Sequence, residues 1–300
     1  MISRLRLEER QTISGLRFES YQKLSRPKKT RLLPNWQFHD LSLLNASGIV
    51  EYNQKVESIK MPLKFPETSH IKLKNPPISE VIAQTRYTPM LEIGEGAADY
   101  QKLVRSSFPI FGTRSSLLQG KEAELAPRDL VFVDSFEKSQ ISLGISSLAV
   151  HTNQYEGWDK FKTYIELATK SFLEVYGNFN VIRIGLRYIN EIKTPNTVEG
   201  LAKGISRELI PEIESAVWDF PLHISKALLF EDGENRLRIR LSLDKEPETK
   251  LLLDYDYFKE FKQQAFHNSE EISSIYDSFH NNVYDAFHWS VKQELIDAFS

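Results

Sequence analysis

From residue 71 onward the chain falls into short runs whose apolar and polar positions alternate with a regular period. "PPISEVIAQTRYTP" (76–89) sets Ile78, Glu80, Ile82 and Gln84 against Ser79, Val81, Ala83 and Thr85, a strand bounded by prolines. "AADYQKLVRSSFPIF" (97–111) reads as a short helix that ends before Pro109. "RDLVFVDS" and "SQISLGISSLAVHT" are two β-rich runs separated by "FEK", which predicts a hairpin. "GWDKFKTYIELATKSFLEVYG" (157–177) carries Trp158, Phe161, Ile165, Ala168, Phe172 and Val175 at helical spacing, with Gly177 where a C-terminal cap belongs. "VIRIGLRYINEI" (181–192) returns to a period of two. It places Arg183, Arg187 and Glu191 on one face and Ile182, Ile184, Leu186 and Tyr188 on the other. Asn190 falls on the apolar side, where its amide is expected to bond the backbone.

These elements run strand–helix–strand–strand–helix–strand, the order of a ferredoxin-like unit (βαββαβ). The second half adds a short helix near 197–210 and then three strands, "AVWDFPLHISKALLF", "NRLRIRLSLD" and "TKLLLDYDYF". "FEDGEN" (230–235) supplies an Asp-Gly turn between the first two. "SEEISSIYDSFHNNVYDAFHWSVKQELIDAF" closes the chain as one helical stretch. Its stripe of Tyr276, Phe279, Val283, Phe287, Val291 and Leu295 is spaced for core packing. Antiparallel hairpins with few long helices predict an α+β fold: antiparallel sheets with packed helices, a ferredoxin-like first half, a three-stranded meander and a C-terminal helix. The domain occupies 71–300, with sub-halves at 71–195 and 196–300.

Residues 1–70 have no sustained period, and prolines 27, 34, 62 and 66 interrupt them. They are read as an extension that packs on the body through Leu32, Leu33, Trp36, Phe38, Leu41, Leu43 and Leu44. Charge separates the same two regions. The 300 residues carry a net charge of −3, but residues 1–70 hold 12 Lys and Arg against 7 Asp and Glu. The run "RPKKTR" concentrates Arg26, Lys28, Lys29 and Arg31, a weak nucleic-acid-binding candidate beside the alternative of a solvated connector. With no cysteine, the chain has no disulfides, thiolate metal sites, Fe–S clusters or cysteine nucleophiles. No apolar run reaches membrane-spanning length, and the first residues lack the apolar core of a secretory signal, so a cytoplasmic protein is expected.

Catalytic signatures are missing: no Gly-x-Gly-x-x-Gly, no Gly-Lys-Ser/Thr phosphate loop, no Gly-x-Ser-x-Gly and no His-Glu-x-x-His. The 7 histidines form no ligand pair at strand spacing, and His280 and His288 lie on different sides of one helix. No cofactor is expected. One constellation remains. Arg236, Arg238 and Arg240 alternate on one strand, Asp254 and Asp256 on the next, and Arg183, Arg187 and Glu191 on the central one. Three readings compete for it. It is a set of cross-strand ion pairs on an open face, the reading the residues favour. It grips an anionic ligand or partner through bidentate arginines. Or Asp254 and Asp256 hold Mg²⁺ while the arginines hold a triphosphate, as in the tunnel-barrel triphosphatases.

Three segments, "NPPISEVIAQTRY" (75–87), "RIGLRYINEI" (183–192) and "AFHWSVKQELIDAF" (286–299), together resemble a sporadically distributed, functionally uncharacterised bacterial family. Its members carry Asn-Pro-Pro-Ile-x-Glu-Val, a central Gly-Leu-Arg-Tyr-Ile-Asn strand and a Phe-x-x-Ser-Ile/Val helix start. "LLLDYDYF" (251–258) is similar to its late Asp-x-Asp strand. The resemblance covers about residues 73–300. The chain departs from it in a longer N-terminal extension and in Glu191, where a basic residue is usual. The family's scattered occurrence implies an accessory role, such as phage defence or a toxin–antitoxin cassette. The sequence therefore favours a non-enzymatic binding protein that recognises a protein partner or an anionic ligand. A metal-dependent phosphohydrolase and a nucleic-acid-associated protein are the alternatives.

Overall fold

β1 (Ile78–Tyr87) sits inside a nine-stranded sheet in which every neighbouring pair is antiparallel. This computed structural model describes residues 63–66, 68, 71, 73–114, 129–193, 197–214, 222–244 and 250–300. All of them belong to the compact unit Glu57–Ser300. The other strands are β2 (Ile110–Arg114), β3 (Asp129–Val133), β4 (Ser139–Gly144), β5 (Ser147–Thr152), β6 (Phe179–Lys193), β7 (His223–Asp232), β8 (Asn235–Asp244) and β9 (Lys250–Phe266). They lie in the order β2-β3-β4-β5-β1-β6-β9-β8-β7. Among the described residues the α-helices are α1 (Ala97–Val104), α2 (Trp158–Tyr176), α3 (Val198–Gly204), α4 (Ser269–Ser290) and α5 (Gln293–Phe299). The α+β class and the antiparallel sheet are as expected.

The literal strand–helix–strand–strand–helix–strand order needs correction, because four strands separate α1 from α2. "SQISLGISSLAVHT" is too long for a typical strand and folds back on itself. Its turn carbonyls are held by β1 and the loop after it: Tyr87 N donates to Ser146 O (3.0 Å) and Met90 N to Ile145 O (2.8 Å). β2 is the added strand, formed directly after Pro109. α1 also ends sooner than expected, at Val104, where Phe108 N donates back to Val104 O (2.9 Å) and the Phe108 ring is buried. β7, β8 and β9 form the meander, and β9 joins it to β6, so one sheet runs through both predicted sub-halves. The β7–β8 turn places Gly233 at φ +61, a left-handed position that glycine adopts without steric cost.

The helices cover one face of the sheet. α2 and α4 pack on each other, α2 against β5, and α4 against β6 and β9. The alternation of β6 delivers Ile184, Leu186, Tyr188, Asn190 and Ile192 to this face. Asn190 Nδ2 donates to Leu253 O at 3.2 Å, as its position on the apolar side required. Ile182 does not join them. The β6–β9 pairing shifts register between Val181 and Arg183, so Val181 is buried instead and Ile182 is 37% exposed. The C-terminal helical stretch breaks at Val291–Lys292. There Val291 bridges Ile205 and Lys292 N donates to Gly204 O (2.8 Å), so α3 docks where the helix would have continued. The stripe Tyr276, Phe279, Val283, Phe287 and Val291 is buried in the core. Asn268 caps α4 reciprocally with Glu271: Asn268 Oδ1 accepts from Glu271 N (2.9 Å) and Asn268 Nδ2 donates to Glu271 Oε1 (3.0 Å).

Of the predicted extension, residues 63–66 and 68 are described. Leu63 and Phe65 pack against the core, with the Phe65 ring 5.2 Å from that of Trp289. Leu63 N donates to Asp232 Oδ1 (2.9 Å) and Thr68 N to Asp285 Oδ1 (3.2 Å). The expected packing residues Leu32, Leu33, Trp36, Phe38, Leu41, Leu43 and Leu44 lie outside the described residues, as do Arg26, Lys28, Lys29 and Arg31. Among the described residues no helix is long and apolar enough to cross a membrane.

Candidate functional site

The face of the sheet opposite the helices is polar, and register decides what it presents. Across β8, β9, β6 and β1, one row of side chains runs Arg238, Asp256, Arg187, Ile82. The next runs Arg236, Phe258, Gly185, Gln84. A third places Glu260, Arg183 and Arg86 side by side. These residues, with Leu229 of β7 at the rim, line an open concavity of about 500 Å³. The sheet twist that all such strands share makes a long antiparallel sheet concave, so a row of long side chains converges over the floor.

The carboxylates are held from above. Asp254 is 2% exposed and accepts Nε (2.7 Å) and Nη2 (2.8 Å) of Arg187, and Nη1 of Arg240 (2.7 Å). This fork-to-fork pairing is the strongest geometry available to an arginine, and hydrogen bonding to Asp254 raises the Arg187 pKa further. Asp256 accepts Nη2 of Arg183 at 2.7 Å and has Arg238 Nη1 at 3.8 Å. The Arg183 guanidinium also lies 4.4 Å from the Phe258 ring centroid. Beneath it, a Cβ on Gly185 would sit 2.5 Å from Arg183 Nη1. The glycine in "RIGLRYIN" is therefore the bed on which Arg183 lies.

Of the predicted residues, Arg183, Arg187, Arg236, Arg238 and Asp256 line the concavity, and Arg240 with Asp254 forms its adjoining edge. Glu191 stands apart, further along β6, paired with Lys250 at 3.0 Å. Seven residues of the site were not foreseen: Ile82, Gln84, Arg86, Gly185, Leu229, Phe258 and Glu260. Carrying the period of β1 two positions beyond Gln84 reaches Arg86, so that signal was present. Arg86 makes no hydrogen bond or ion pair among the described residues, and it pairs directly across β1–β6 with Arg183. Like charges in that relation destabilise a sheet, so this juxtaposition costs stability that nothing on the strand itself recovers.

The face combines ion pairs with a concavity. Ion pairs are made, and the pairs stand around a hollow. The five arginines lining it face two carboxylates, Asp256 and Glu260, a surplus of three positive charges on a chain of net charge −3. Asp254 has its oxygens committed to three arginine N–H groups and Asp256 to Arg183. A divalent cation taking these carboxylates would strip the arginines of their partners. No group of three or more His, Cys, Asp or Glu able to hold a metal occurs among the described residues. The histidine with the richest contacts, His280, lies on the helix side. It stacks on Trp158 (4.4 Å between centroids) and accepts or donates at Nδ1 with Tyr188 Oη (2.9 Å), a packing role. Compared with known protein families and with curated proteins, the chain matches none.

Proposed function

We propose that the protein binds an anionic ligand in the arginine-lined hollow of its open sheet face and catalyses no reaction there. The observation that carries this reading is Arg86: a cation with no partner among the described residues, set directly opposite Arg183, at the edge of a hollow with three surplus positive charges. Such an arrangement lowers its own free energy only when an anion arrives. Asp254 and Asp256 act as struts. By accepting hydrogen bonds from behind, they fix Arg187 and Arg183 in the orientation that presents the remaining N–H groups to a ligand. An anionic patch on a protein partner would satisfy the same donors, and the exposed Leu229 at the rim would suit it.

The resemblance to the bacterial family favours a cytoplasmic accessory system, phage defence or toxin neutralisation, as the setting. Within the fold, β4, β5, β1 and β6 lie adjacent with α1 and α2 between them in sequence. This supports reading them as a ferredoxin-like unit enlarged by β2 and β3.

Thermal melting of the full chain in a panel of sulfate, phosphate, citrate and pyrophosphate tests the proposal. At least one anion is expected to raise the midpoint, since ligand at 100 times Kd adds about 2.7 kcal/mol. The shift is expected to vanish in Arg86→Gln with Arg183→Gln. No shift with any anion, or a shift unchanged in that variant, overturns it.

A further inference from the structure

The hollow carries two arginine pairs, and their arrangement says more about the ligand than its charge sign. One pair, Arg86 and Arg183, spans β1 and β6. The other, Arg236 and Arg238, lies on β8 with both side chains on the open face. Each pair has one anchored and one available guanidinium. Arg183 is held by Asp256 and Phe258, and Arg236 by Glu260 at 2.8 Å. Arg86 makes no polar contact among the described residues, and Arg238 makes none shorter than 3.8 Å. Resting on the anion-binding reading above, we infer that the ligand class is a compact polyphosphate, two or more linked phosphoryl groups, with one group taken by each pair.

Geometry separates this class from other anions. β1 and β8 are three strand spacings apart, about 14 Å at the backbone, and both pairs line the same hollow. A single phosphate or carboxylate meets one pair and leaves the other unsatisfied. A phosphoanhydride bridges both, each phosphoryl presenting the paired oxygens that a guanidinium fork matches. The three surplus positive charges suit a diphosphate or triphosphate. A nucleic-acid strand fits less well, because binding single strands relies on exposed aromatic platforms. The one ring in the floor, Phe258, is buried beneath Arg183 and Arg238, and the exposed Phe111 and Phe136 do not line the hollow.

Free inorganic polyphosphate and the polyphosphate tail of a nucleotide share this chemistry, so the test must tell them apart. Isothermal titration of the full-length protein with phosphate, citrate, pyrophosphate, tripolyphosphate and ATP does so, with citrate matching the charge without phosphoryl geometry. Pyrophosphate and tripolyphosphate are expected to bind at least tenfold tighter than phosphate and citrate. Arg86→Gln and Arg238→Gln are each expected to weaken tripolyphosphate at least tenfold. Both positions lack close partners, so these variants keep the fold, which circular dichroism checks. Lys102→Gln, on exposed α1 and bonded only to Asp99, is the control expected to bind normally. ATP binding equal to tripolyphosphate assigns the chain of phosphates alone, and tighter ATP binding assigns a nucleotide. Phosphate, citrate and pyrophosphate within threefold of one another overturn the polyphosphate inference while leaving an anion site. No binding by any of them overturns both.

Discussion

The two faces of the sheet are built from the same strands, residue by residue, yet they are held together by different physics. On the helix side, Leu186, Tyr188, Tyr255, Tyr257 and Phe279 are buried in apolar contact, and polar atoms appear there one at a time: Thr85 Oγ1 meets Tyr276 Oη at 3.0 Å, while the buried Tyr255 hydroxyl has no hydrogen-bond partner among the described residues. On the open side, Asp254 and Asp256 are nearly as inaccessible, but what covers them is arginine. Burial on the first face removes hydrocarbon from water, which is favourable by itself. Burial on the second is tolerated only because each carboxylate is hydrogen-bonded by at least one guanidinium. The comparison teaches that the covered face gains stability from apolar burial, whereas the open face uses buried carboxylates to hold arginines in fixed orientations. Carboxylates that could have been solvated are instead spent on orienting arginines.

Alkaline titration is the most drastic way to break the covered face. Burial raises the pKa of Tyr155 and Tyr176 to about 12, and it pushes Tyr87, Tyr100, Tyr188, Tyr255, Tyr257 and Tyr276 well above the ordinary tyrosine value. The unfolded chain ionises these groups near pH 10, so above that pH it holds fewer protons than the folded chain. Their contribution is complete below pH 10 and is lost as the pH rises through the folded values. Urea unfolding at a series of alkaline pH values should therefore show cooperative collapse of the whole domain toward pH 12, with no matching loss between pH 6 and 9.

Phe279→Ala, which removes the ring packed 5.0 Å from that of Tyr257, is expected to cost about 3–5 kcal/mol in urea unfolding while leaving anion affinity in the surviving folded protein unchanged. On the other face, Asp254→Ala should cost less, roughly 3 kcal/mol, the low end for breaking a buried pair. Arg187 and Arg240 are each 37% exposed and can turn back to water once released. The same variant should lower anion affinity measured by titration, since Arg187 loses its strut. Gly185→Ala is the mildest. Its methyl group meets the flexible end of Arg183, so a cost of about 1 kcal/mol is expected, with weaker anion binding as the larger signature. A Phe279→Ala that weakens anion binding as much as Asp254→Ala would erase the distinction between the faces.

How far the sequence revealed this depends on what each feature needed. The period of two in β6, β8 and β9 was legible from single segments, and it assigned Arg187, Arg238 and Asp256 to one face before any strand order was known. Strand order and register were not legible, because they depend on pairings between residues far apart in the chain: Arg86 meets Arg183 only through the β1–β6 register. The hollow followed from neither pattern nor charge. Its floor depends on Gly185 lacking a side chain where Arg183 lies and on Phe258 standing opposite Gly185 in the β6–β9 register, a relation across two strands. The division of "SQISLGISSLAVHT" into β4 and β5 was hidden for a different reason. Its turn, Ile145–Ser146, carries no proline, asparagine or aspartate, and is fixed by contacts with Tyr87 and Met90.

The bed beneath Arg183 has a consequence for descent as well as for binding. Position 185 favours glycine while arginine lies across it, because a methyl group there pushes the guanidinium aside, and that preference ends once residue 183 becomes shorter. The reverse order is disfavoured: a chain that acquired a side chain at 185 first would hold the guanidinium of an arginine at 183 out of its present place. Change at these two positions is therefore biased in order, with 183 expected to vary before 185 begins to drift.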